Sequence, residues 1–133
     1  MFTGKLIAIF GFMFAILTTN AVAADKLFTG VFEGGGRACT GRLFIRTKTI
    51  EWHTPFTVCK RTPYKILKKN VDITQTEIVF LLKRKTNIKC DFEVISLKWN
   101  PQQSRFWNVT GYESLSDYES GSDYALACGL DKL

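Results

Sequence analysis

Residues 29–46 read TGVFEGGGRACTGRLFIR, and this stretch decides the fold. Two β-prone segments flank the run Gly34-Gly35-Gly36. Glycine accepts positive φ without a Cβ clash, so such a run is where a chain reverses. Phe28, Val31 and Phe32 lie before it. Leu43, Phe44 and Ile45 lie after it, between Arg42 and Arg46. Apolar and polar residues alternate loosely, as on strands with one face in a core. A β-hairpin is expected.

Further along, TIEWH at 49–53 reads as a short strand, with Ile50 and Trp52 on one face and Glu51 and His53 on the other. Thr54-Pro55 and Thr62-Pro63 read as breaks around an edge segment at 56–59. A strand follows at 64–68, with a turn at Lys69-Asn70. Residues 71–84 alternate from Val71 and Ile73 and end in Ile78-Val79-Phe80-Leu81-Leu82, expected to be the most buried strand. Ile88 to Trp99 reads as one strand whose phase slips near Val94-Ile95, where a β-bulge is expected. Residues 105–112 form a strand with Trp107 and Val109 on one face. Ser114 caps a short helix that Gly121 ends, and residues 124–128 form a last strand. Seven to nine short strands separated by turns are the pattern of an all-β domain. A small antiparallel β-barrel is expected, with a two-sheet sandwich as the alternative. The start of the first strand, Gly30-Val31-Phe32, is lipocalin-like over three residues, which identifies no family.

The first residues obey a different logic. Lys5 precedes an uncharged apolar run at 6–17, a polar break at Thr18-Thr19-Asn20 and the small residues Ala21-Val22-Ala23-Ala24. That is the pattern of a secretory leader. The run of 12 residues falls short of the roughly 20 that span a bilayer. Residues 1–24 are therefore assigned to a signal peptide and 25–133 to a single domain, secreted or periplasmic, with no membrane span after cleavage. Cys39, Cys59, Cys90 and Cys128 all lie in that domain. In a small exported chain they indicate two disulfides; no two stand at the close spacing of a thiolate zinc site. Of three possible pairings, Cys39–Cys59 and Cys90–Cys128 are expected, because each joins neighbours in chain order.

The chain carries 18 Lys and Arg against 12 Asp and Glu, a net charge of +6. Lys60, Arg61, Lys65, Lys68 and Lys69 crowd one segment, and Lys83, Arg84 and Lys85 a second. This basic band suits an anionic partner, the alternative being a solvated face. Nucleic acid is the least expected partner for an exported, disulfide-bonded chain. The sole histidine, His53, shares a face with Glu51, the makings of a general base. No nucleophile, metal or cofactor motif accompanies the pair; residues 36–43 (GRACTGRL) lack the Lys and Ser/Thr of a phosphate loop. Trp52, Trp99 and Trp107 are candidates for a barrel mouth or partner-facing patch, the alternative being that they fill the barrel. The tryptophans, His53 and the basic residues are the candidate contacts. The expected function is a small exported, non-enzymatic binding protein that touches a protein, glycan or lipid through its surface or barrel mouth. A hydrolase inhibitor is one version. A carrier of a small apolar ligand and an enzyme using Glu51 and His53 are the alternatives.

Overall fold

A computed structural model describes residues 27–121 and 123–133; the signal peptide assigned to residues 1–24 lies outside them. The described residues form strands β1 (Gly30–Gly34), β2 (Gly41–Ile45), β3 (Thr49–His53), β4 (Val58–Val71), β5 (Thr76–Leu82), β6 (Val94–Trp99), β7 (Trp107–Tyr112) and β8 (Leu126–Lys132). Helix α1 (Leu115–Ser120) lies between the last two. Each strand pairs antiparallel with the next, and β8 returns to β1, so the sheet closes into a barrel. The all-β barrel expected from the strand pattern is what forms, and the sandwich is not.

The opening hairpin pairs from Gly30↔Ile45 to Gly34↔Gly41. Gly36 turns the loop with φ 91°, and the Thr40 hydroxyl donates to the Gly36 carbonyl. Gly41 is more constrained. Its φ is +138°, and a Cβ built on it lies 2.0 Å from the His53 carbonyl oxygen. Helix α1 starts as expected, with the Ser114 side chain accepting from the Asp117 N–H, and ends at Gly121.

Alternate positions on the strands point inward, and Phe32, Leu43, Ile50, Trp52, Ile78, Phe80, Ile95, Leu97, Val109 and Leu130 pack there as one buried cluster. In an eight-stranded barrel such side chains fill the interior. Phe92 enters from the loop before β6. Its ring centroid lies 5.3 Å from that of Trp52, and a Cβ on Gly111 would come within 2.6 Å of the ring.

Several expectations need correction. Strand β4 runs through both Thr62-Pro63 and Lys69-Asn70, where a break and a turn were expected. The reason is a change of partner. β4 pairs with β3 as far as Thr49↔Pro63 and with β5 from Tyr64↔Leu82 onward. Pro63 sits where one ladder stops and the other starts, so its missing N–H breaks no ladder bond; its carbonyl accepts from Lys83 N–H at 2.7 Å. Val71 and Ile73 do not begin a buried strand: they are 56% and 94% exposed beside the turn at 72–75. The bulge expected at Val94-Ile95 is absent, because the β5–β6 and β6–β7 registers run through those residues unbroken. The phase slips there because residues 83–93 form a loop, and β6 starts only at Val94. The register shifts lie instead along β4, opposite the Ile50–Trp52 segment and between Ile66 and Lys68.

The disulfides are Cys39–Cys128 and Cys59–Cys90, and not the two expected pairs. Barrel closure sets the β1–β2 loop beside β8, which brings Cys39 to Cys128. The 83–93 loop folds back along β4. Lys60 N–H donates to Lys89 O at 2.8 Å, Asp91 N–H to Val58 O at 3.0 Å, and Cys59 and Cys90 form an isolated bridge pair. Among the described residues no cysteine is free, and no helix is long and apolar enough to cross a membrane.

Candidate functional site

The strands β1, β3, β5 and β7 all start at one end of the barrel, and this end is its mouth. Aromatic residues gather there. Trp99 ends β6 and Trp107 begins β7, so the connection between them leaves both indoles at the rim. They stack with centroids 4.7 Å apart and planes 13° from parallel. Phe28 and Phe32 meet Trp107 at 5.6 and 5.3 Å. Trp107 is buried and Trp99 half-buried; the Trp99 indole N–H is itself buried and makes no hydrogen bond.

Over this shelf opens a cleft of about 560 Å³, lined also by Val71, Thr76, Arg105, Asp131 and Lys132. The Arg105 guanidinium lies 4.8 Å over the Phe106 ring and 3.7 Å from the Asp131 carboxylate. Two cations thus border the cleft against one carboxylate. On the other side of Phe28 a smaller cleft of about 150 Å³ lies among Leu27, Thr47, Tyr64, Lys65, Ile66 and Lys69. The Tyr64 hydroxyl fixes its wall by donating to Arg46 O at 2.6 Å, and burial pushes that phenol up from its ordinary pKa.

The predicted site residues separate. Trp52 is wholly buried against Phe92 and belongs to the core. Trp99 and Trp107 meet at the mouth, and Lys65 and Lys69 line the adjoining cleft. Lys60 and Arg61 sit on the β4 irregularity opposite Glu51, with Lys83 and Lys85 beyond the end of β5. Lys68 lies 3.1 Å from Glu77, which Lys98 also approaches at 3.7 Å. Arg84 donates to the carbonyls of Cys90 at 3.5 Å and Glu113 at 3.3 Å, so it fastens the 83–93 loop. The basic band is therefore divided between the outer wall, a loop anchor and the mouth.

His53 and Glu51 do share the outer face of β3, with Nε2 and Oε2 2.6 Å apart. The sequence reading missed Arg46, whose Nη1 donates to the other Glu51 oxygen at 2.9 Å. A tight turn from Arg46 to Thr49 would have shown it, since it sets Arg46 diagonal to Glu51. Burial pushes the Glu51 carboxyl up, but hydrogen bonds from His53 and Arg46 outweigh it and hold the pKa below the ordinary carboxylate value. A carboxylate so stabilised is a weaker base. The stability it contributes is present above the ordinary carboxylate pKa and is lost as pH falls through the lower folded value. Glu51→Gln is expected to remove that acid-side loss, measured as unfolding free energy against pH; an unchanged acid limb would refute it.

No family model, curated protein or solved structure matches this chain. What the chain does is then read from its own surfaces, since a barrel fold carries many functions. Among the described residues no group of three or more acidic, His or Cys side chains gathers to hold a metal ion.

Proposed function

We propose that the chain is an exported, non-enzymatic binding domain whose barrel mouth takes an amphipathic anion. The observation that carries this is the stacked Trp107–Trp99 pair, with Phe28 tilted against Trp107, beside Arg105 and Lys132. Its apolar faces receive the apolar part of a partner, and the two cations receive the charged part. Export is supported by the leader pattern at residues 1–24 and by two disulfides, which suit an oxidising compartment. The carrier reading is less favoured, because core side chains occupy the barrel interior. The enzyme reading is less favoured because Glu51 is held by the Arg46 guanidinium as well as by its hydrogen bond with His53, and the His53 ring hydrogen-bonds only to Glu51 among the described residues.

Titrating the purified, oxidised protein with dodecyl phosphate below its micelle concentration, and following tryptophan emission, tests the reading. A saturable shift is expected. Trp99→Ala, and Arg105→Glu with Lys132→Glu, are each expected to weaken it by about tenfold. An unsaturable signal, or one that neither variant changes, would sink the proposal.

A further inference from the structure

We infer that the β4–β5 hairpin is an arm that inserts its tip into an anionic lipid surface; this rests on reading the mouth end as the contacting end of the molecule. Strand β3 stops opposite Pro63. From Lys65 to Val71, β4 has β5 on one side and, among the described residues, no strand on the other. All seven of these residues are exposed, including Ile66, Leu67 and Val71. At the apex, Ile73 is 94% exposed.

The apex is built to hold that side chain outward. The Asp72 carboxylate accepts from Thr74 N–H at 2.7 Å, from the Thr74 hydroxyl at 2.8 Å and from Gln75 N–H at 3.3 Å. Asp72 N–H donates back to Gln75 O at 3.0 Å. An ordered turn thus fixes an isoleucine in water, beside three more exposed apolar side chains within eight residues. Scattered exposed apolar residues are ordinary, but four on one arm whose outer edge no strand covers among the described residues, one of them held at its apex, mark a contact.

The chemistry of the arm selects the occupant. Lys65, Lys68 and Lys69 interleave with Ile66 and Leu67 along the arm, Lys68 3.1 Å from Glu77, so cationic side chains stand behind the apolar tip. Lysine stems reach past apolar groups to an anionic surface while the apolar groups go deeper. A peptide adding as an extra strand suits the arm poorly. Its open edge carries lysines and a register shift between Ile66 and Lys68, the devices by which strand edges deter pairing. Val71 on the arm and Trp99 on the shelf line the same cleft, so the arm and the mouth face one surface together.

Co-sedimentation of the oxidised protein with phosphatidylglycerol–phosphatidylcholine vesicles tests this, with phosphatidylcholine vesicles and soluble dextran sulfate as parallel arms. Preferential binding to the anionic vesicles is expected. Ile73→Asp is expected to lower it about tenfold or more, and Lys65→Glu to lower it and flatten its salt dependence. Both variants keep the wild-type melting temperature, because these side chains are exposed. The inference is overturned if neutral vesicles bind as well as anionic ones, if Ile73→Asp binds like the wild type, or if dextran sulfate binds as tightly as vesicles. Failed vesicle binding with an intact dodecyl phosphate titration removes the arm and leaves the mouth; failure of both removes the mouth end as a contact surface.

Discussion

Replacing Cys39 and Cys128 together by serine is expected to lower stability by about 4–5 kcal/mol. This link spans a sequence separation of 89, and in the chain-entropy account a longer loop restrains the unfolded chain more. It also sits beside the weakest seam. β1 and β8 share only three residue pairs, the shortest ladder in the barrel. At its centre Glu33 lies directly opposite Asp131, a like-charge pair that opposes pairing. Each carboxylate is drawn to an arginine 3.7 Å away, Arg42 or Arg105, but these pairs are exposed and weak. The Cys59–Cys90 link spans a separation of 31, so its removal costs less, about 3.5 kcal/mol. Urea unfolding of the two double variants compares them. A larger loss for the Cys59/Cys90 variant would refute the weak-seam account.

The second large effect is expected at Gly41. Alanine there places a Cβ 2.0 Å from the His53 carbonyl oxygen, at a φ of +138°. The obstacle is backbone, so no rotamer change relieves it. Strain of this kind costs on the order of 1–3 kcal/mol before the overlap is counted. A total of about 3 kcal/mol or more lowers the melting temperature by roughly 10 °C or more. Gly35 is the control: a Cβ there meets nothing within 4 Å, so alanine changes stability by less than about 0.5 kcal/mol. Equal losses at the two glycines would mean that the loop as a whole, and not the β2–β3 approach, sets the requirement.

What was legible in the sequence was local. The glycine hairpin, the Ser114 cap and the shared face of Glu51 and His53 each follow from residues a few positions apart, whereas Trp52, a candidate contact by residue type, lies in the core against Phe92. The disulfide pairing was not legible, because Cys39 meets Cys128 only once β8 has returned to β1. Pro63 looked like a break because its neighbours in the sheet are invisible in the chain; it lies where β4 trades one partner for another. Val71 and Ile73 alternate as a buried strand does, yet β3 is too short to cover them. At the mouth, the aromatic residues were recognisable as a group, but Phe28 and Arg105 join Trp99 and Trp107 only through closure of the sheet.

Closure has a kinetic side. Seven of the eight strand pairings join elements adjacent in the chain and can zip up hairpin by hairpin. The remaining one must wait for β8, the last of the described strands, to find β1, the first. Until then the molecule is an open sheet with two raw margins, each able to recruit a neighbouring copy. Pairing of β8 with β1 ends that interval, and the Cys39–Cys128 link that this pairing makes possible then holds the two margins together against reopening.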